Sequence, residues 1–368
     1  MKIFFSKNLN RAIVFLCLVA LLTGFYNRLL GFADAERTDT VLDQFYELED
    51  NSAEVIFFGS SVTQRAYVTP VAYHEYGVPA YQLATGTQPF ILTKYLMIEV
   101  LKTQSPKLFV IELKGVNKRA DWLGDVHIRR IIDNMKPSKN KLNAIRAVLS
   151  YAPKDQNGID STGLSYYFPL IKYHSRWNPS KRPKPYDEID YYTGYSPNSE
   201  LTFKVKKINP IPYDTHTLAI DEPTEAVLND LLDFCDTLED TKVLFVIPPY
   251  QASADGMGKM NYAKGIIESR GYECLNMLTG ENRQKAGLDD KTCYYNREHL
   301  NYYGALLYTD FFFNYIVENY GIEDVRDQGG HEAWEDAYDR LMNDLETRYA
   351  VPYGDMMEEI SRIEKEGE

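Results

Sequence analysis

The chain has little cysteine: four residues in 368, irregularly placed and with no C-x-x-C pair. That excludes a disulfide scaffold and leaves no sign of structural zinc. Positive charge is also scarce. Forty Lys and Arg against 53 Asp and Glu leave a formal charge of −13. A sequence-independent nucleic-acid binder needs a basic face to neutralise phosphates, so that class is excluded. Neither a P-loop nor a dinucleotide fingerprint is present, and no cofactor is assigned. What remains, 44% hydrophobic and 25% charged residues, is the composition of an ordinary globular protein with ample material for a core. Tyr is the oddity at 29 copies. Its amphipathic ring suits damp surfaces and sugar-lined grooves, although compositional drift accounts for the number equally well.

An apolar run from Ala12 to Tyr26 follows Lys2, Lys7 and Arg11, and no acid precedes Asp34. A basic segment followed by an apolar one marks an export signal or a signal anchor. Leu29 to Phe32 extend the run towards spanning length. The positive-inside rule then puts residues from about 36 onward outside the cytoplasm. Ala33-Asp34-Ala35 offers small residues for cleavage, with Asp a poor fit. The alternative is a buried helix of a cytosolic protein.

Beyond it, strands and helices alternate. Glu54–Phe58, Leu108–Leu113 and Lys242–Ile247 are short apolar runs that read as buried strands. Ile91–Lys102, Ala226–Leu238, Tyr262–Arg270 and Gly304–Tyr320 carry helical patterns, the last two closed by Gly271 and Gly321. Such alternation predicts a parallel sheet covered on both faces, with ligands bound beyond the carboxyl ends of the strands. Residues from about 118 to 222 break the pattern and read as a long insertion, a lid or cap with a few helices. From Arg326 onward, 13 acids face 5 bases. Trp334, Ala337, Tyr338, Leu341 and Leu345 share a helical face there, which predicts a docked helix followed by frayed residues.

Two segments carry candidate chemistry. Gly59-Ser60-Ser61-Val62-Thr63 leaves the first strand at the sheet's carboxyl edge, a position that suits a nucleophile. The same residues also suit a plain helix cap. His299 stands in Asn296-Arg297-Glu298-His299-Leu300-Asn301-Tyr302-Tyr303-Gly304, just before the last core helix. Together they resemble the SGNH (GDSL-type) hydrolase superfamily. Gly59-Ser60-Ser61 with Val62-Thr63 matches its first block, and Asn296-x-x-His299 its last, where the family has Asp. Gly86 and Gly115-Val116-Asn117 match its two middle blocks in order and spacing. The likeness covers roughly residues 50 to 320.

The resemblance implies a three-layer α/β/α flavodoxin-like domain over about 50–325. It would lie between an anchor at 1–35 and an acidic helical tail at 326–368. It implies Ser61 as nucleophile and His299 as general base. Ser61 and Gly86 N–H with the Asn117 amide would form the oxyanion hole. Asn296 stands where the family has its acid, and an amide cannot compensate an imidazolium. Either a dyad works, another acid such as Glu298, Asp289 or Asp290 folds in, or the domain only binds polymer. Extra segments at this place occur in an exported branch, similar to the D-alanyl transfer protein of teichoic acid and to alginate O-acetylation proteins. By that likeness His174, Arg176 and Trp177 line a glycan site, unless they merely anchor the insertion. Tyr250, after Pro248-Pro249, shapes the pocket. A cell-envelope glycopolymer and a membrane-bound O-acyltransferase are the implied partners. Whether water or a sugar hydroxyl takes the acyl group stays open, as does pairing of Cys274 with Cys293.

Overall fold

Five short runs build one parallel sheet: β1 Val55–Phe58, β2 Ala80–Gln82, β3 Leu108–Glu112, β4 Lys242–Ile247 and β5 Glu273–Asn276, in the order β2-β1-β3-β4-β5. The protein is seen in a computed structural model that describes residues 7–30, 39–119, 123–151, 158–160, 162–181, 191–197 and 216–367. The three strands expected from sequence are β1, β3 and β4. The edge strands β2 and β5 were not expected, because three or four residues with Gln82 or Glu273 among them give no apolar run.

Among the described residues the helices are α1 Lys7–Leu30, α2 Asp39–Glu47, α3 Ser61–Gln64, α4 Thr69–Tyr76, α5 Thr93–Val100, α6 Asp125–Ile132, α7 Lys139–Tyr151, α8 Leu164–Tyr167, α9 Leu170–Tyr173, α10 Glu222–Cys235, α11 Ala254–Ser269, α12 Gly280–Lys285, α13 Tyr302–Tyr320, α14 Glu332–Thr347 and α15 Ala350–Gly367. Alternate strand residues enter two separate cores. Ile56, Phe58, Phe109, Ile111 and Phe245 pack with Leu96, Ile145, Leu228 and Met260. Val55, Phe57, Val110, Leu244 and Val246 pack with Phe312, Leu341 and Ile360. Successive strand side chains point to opposite faces. Both faces are therefore buried, which is why these strands are continuously apolar.

The stretch expected to be an irregular insertion is helical over much of its described part. Ile128, Ile131, Val148 and Tyr166 enter the first core. Buried Arg129 ties the stretch together, with its Nε 2.8 Å from Asp125 Oδ1 and its guanidinium 4.2 Å from the Tyr166 ring centroid. Sequence periodicity missed it because α7 buries only Asn140, Ala144, Ile145 and Val148 and shows Lys, Asn and Arg elsewhere. Residues 182–190 and 198–215 of that stretch lie outside the described residues.

At the amino end, α1 is long and apolar enough to cross a bilayer. Leu9–Tyr26 has a mean hydropathy of 1.8, with none of it buried, and 24 residues rise about 36 Å. The candidate cleavage site at Ala33-Asp34-Ala35 is outside the described residues. At the other end Trp334, Ala337 and Leu341 are buried as expected, but the chain does not fray there. Helix α15 follows and buries Met356 and Ile360. Trp334 is fully buried, and its Nε1 donates to the Ala80 carbonyl at 2.7 Å, which ties the tail to edge strand β2. Trp334→Ala is expected to lower stability by about 3–5 kcal/mol, read as a drop in the urea midpoint. An unchanged midpoint would mean that the tail contributes nothing to the fold.

Candidate active site

The strand order reverses direction between β1 and β3; the 59–63 segment leaves β1 there, and His299 of the second segment reaches it at Ser61. After Phe58 the chain must turn sharply into α3. Gly59 is required by space: an added Cβ would lie 2.2 Å from Thr63 Oγ1 and 2.7 Å from Glu112 Cβ. Ser60 is the helix cap, its Oγ accepting from Val62 N–H at 3.2 Å. Ser61 is thereby released from capping, and its hydroxyl faces His299.

What holds the turn is a residue that sequence reading overlooked. Buried Glu112 ends β3, and its carboxylate accepts four hydrogen bonds. Ser60 N–H and Oγ–H donate at 3.0 and 2.8 Å, and Thr63 N–H and Oγ1–H at 3.1 and 2.6 Å. The available signal was an acid closing an otherwise apolar strand at the ligand-binding edge.

His299 Nε2 lies 2.9 Å from Ser61 Oγ, and its Nδ1 lies 3.1 Å from Asn296 Oδ1. The same Asn296 oxygen also accepts from the backbone N–H groups of Glu298 at 2.8 Å and His299 at 3.0 Å. Those two donors fix which end of the amide is oxygen. An acceptor at Nδ1 requires the proton there, which leaves Nε2 free to accept from Ser61 Oγ–H. The rest of the motif builds the loop. Asn301 caps α13, its Oδ1 accepting from Gly304 N–H at 2.8 Å. Gly304 is needed because a Cβ there would lie 2.2 Å from the Cys293 carbonyl oxygen.

No carboxylate is among the described contacts of His299. Glu298 pairs with Lys114 at 3.0 Å, Asp290 with Arg283, and Asp289 accepts from the N–H groups of Lys291 and Thr292. Burial lowers the His299 pKa most, and the charges of Arg65 and Lys114 push it further, down to about 3. The imidazole is consequently neutral at neutral pH, as a general base must be, but its cationic form has no compensating anion.

Candidate oxyanion donors stand nearby on the same sheet edge. Thr85 N–H donates to the Gly59 carbonyl at 3.1 Å, which lays the 83–86 loop alongside the 59–63 turn. Among the described residues, neither Ser61 N–H nor Gly86 N–H has an acceptor, although Gly86 is buried. Next in the loop, Thr87 is held at φ 57, a strained setting for a β-branched residue. Asn117 Nδ2 donates to Tyr250 OH at 2.9 Å, so Tyr250 positions the amide that the motif singled out. A cavity of about 360 Å³ adjoins these loops, lined in part by Thr87, Gln88, Phe90, Gly115, Lys118 and His127.

The structure does not join His174, Arg176 and Trp177 to this constellation. They form a short turn beside α9 and α1. His174 Nδ1 lies 2.8 Å from the Ile171 carbonyl, Arg176 stacks 4.2 Å from the Tyr173 ring centroid, and Trp177 is 75% exposed. Cys274 and Cys293 are both free, buried in different cores. No cluster of three metal-ligating side chains occurs among the described residues. No protein-family model matches the chain. No curated protein shows significant similarity to it.

Proposed function

We propose that this chain is a membrane-tethered SGNH-type serine esterase or O-acyltransferase that acts on acyl esters of a cell-envelope polysaccharide. The observation that carries the reading is the continuous chain from Ser61 Oγ through the His299 ring to Asn296 Oδ1. In the reaction, Ser61 Oγ attacks the ester carbonyl as its proton passes to His299 Nε2. The alkoxide that develops is met by Ser61 N–H, Gly86 N–H and the Asn117 side-chain amide. His299 then protonates the leaving hydroxyl, and water or a sugar hydroxyl takes the acyl group from Ser61. Asn296 holds the ring in the required tautomer without adding charge, the part that Asn plays in Cys-His-Asn proteases.

The strand order and the cover on both sheet faces support a three-layer, flavodoxin-like domain. The apolar α1 supports a single membrane pass, and the basic residues before it put the domain on the extracytoplasmic side. This arrangement is similar to that of the D-alanyl transfer protein of teichoic acid and of alginate O-acetylation proteins. A second reading is favoured by Asn296 itself: a protein too slow to turn over, which binds polymer beside a membrane-bound O-acyltransferase.

A fluorophosphonate probe separates the two. The full chain in detergent is expected to be labelled at Ser61, and Ser61→Ala to abolish the labelling. Absence of labelling in folded protein would discard the enzyme and leave the polymer-binding reading.

A further inference from the structure

The face beside α1 has an unusual surface. Outside α1, nine large apolar side chains are exposed among the described residues, and four of them fall within 164–177. Leu164 is 49% exposed, Phe168 53%, Ile171 49% and Trp177 75%. Leu164 opens α8, Phe168 lies in the bend between α8 and α9, and Ile171 stands in α9, so the exposed apolar side chains run through both short helices and their connection. Residues 162–181 contain three bases, Lys172, Arg176 and Lys181, and no acid, in a chain whose formal charge is −13.

This face is also rigidly held. Asp125 accepts from Tyr166 OH at 2.6 Å and pairs with Lys172 at 2.8 Å. Asp133 accepts from Tyr173 OH at 2.6 Å. Those bonds turn Tyr166 and Tyr173 inward and leave the apolar residues between them facing out. Helix α1 runs alongside α9 and the 174–177 turn. Thr23, in the last third of α1, is the only described side chain of that helix that is partly covered.

We propose that residues 164–177 seat the domain on the lipid surface of the membrane that α1 crosses. Leu164, Phe168, Ile171 and Trp177 enter the headgroup region, where an amphipathic ring such as Trp is most at home. The acid-free segment suits a surface of anionic lipid. Continuity with α1 identifies the occupant as bilayer: an exposed apolar face beside a spanning helix meets lipid first. The seat fixes the attitude of the whole domain, because Arg129 and the two Asp residues lock it to the core.

This inference rests on reading α1 as a membrane span, and the test separates the two. The full chain is reconstituted into nanodiscs with lipids brominated at the glycerol end of their acyl chains, just below the headgroups, and with unbrominated lipids. The unaltered protein is compared with Trp177→Phe, a change at an exposed ring that leaves the core intact. The difference in emission between the two proteins isolates Trp177. That component is expected to be lost in brominated discs and retained in plain ones. A component equally bright in both discs would overturn the seat while leaving the anchor in place. Failure of the chain to enter discs at all would overturn the anchor, and the seat with it.

Discussion

Replacing Glu112 with alanine is expected to destabilise the fold by about 1–3 kcal/mol, because the buried Thr63 N–H loses its acceptor, with half-buried Ser60 N–H adding less. It is also expected to slow labelling of Ser61 on the order of 10²-fold, the usual consequence of a misplacement near 1 Å. The reasoning is geometric. The four groups around the carboxylate are all donors, the hydroxyls included, so the site demands acceptors there. Glu112→Gln keeps one oxygen, enough for Ser60 N–H, Thr63 N–H and Thr63 Oγ1–H, which all meet Oε2. Its amide can face Ser60 Oγ, a hydroxyl able to accept. Gln is therefore expected to hold stability within about 1 kcal/mol and to keep most of the labelling. Denaturant midpoints and labelling rates of the two variants, measured together, decide the matter. Gln as damaging as Ala would show that charge, rather than acceptor placement, holds the 59–63 turn.

Asn296→Asp is expected to act in the opposite direction and to speed labelling by on the order of 10–10². His299 is already in the right tautomer, so the change adds only charge. A carboxylate beside Nδ1 stabilises the imidazolium that Arg65 and Lys114 now oppose. The pH dependence gives the sign. With the His299 pKa near 3, the base is unprotonated down to about pH 4, and labelling falls only below that. With the carboxylate present, the cationic form is stabilised and the pKa rises towards its ordinary value near 6.5. The acid limb then moves up, so that at pH 5 the variant runs well below its own plateau. Asn296→Ala, by contrast, releases the ring tautomer and leaves the backbone N–H groups of Glu298 and His299 without their acceptor, with an expected loss on the order of 10²–10³. A rate unchanged by Asp, with no shift of the acid limb, would mean that His299 does not accept the Ser61 proton.

These two predictions concern residues that were legible to different degrees. Ser61 and His299 could be singled out in the sequence because each sits in a local pattern with its own conformational logic, and the fold brings the two together. A glycine ends a strand where a side chain would clash, and a capping Asn with a close-packed Gly opens the next helix. Asn296 was legible as a departure from the acid that the resemblance implies at that place, but its consequence was not. Whether an amide spoils or preserves the tautomer depends on which end faces the ring. That is set by two backbone N–H groups whose positions exist only in the folded loop. Glu112 was passed over for a similar reason, since its partners lie 49 and 52 residues away.

The sequence by itself determined the apolar helix at the amino end, the three central strands, the order of the candidate segments along the sheet edge and the docked face at Trp334. All of these follow from side-chain periodicity and local backbone needs within a few residues. Only the tertiary structure decided that Ser61 meets His299 across 238 residues. It also decided that Asn117 is steered by Tyr250, that described helices of the stretch read as an insertion send Ile128, Ile131, Val148 and Tyr166 into the core, and that Trp177 faces outward beside α1. Each of those outcomes depends on which surfaces the sheet and its helices bring together. Contacts between distant residues leave no period in the chain.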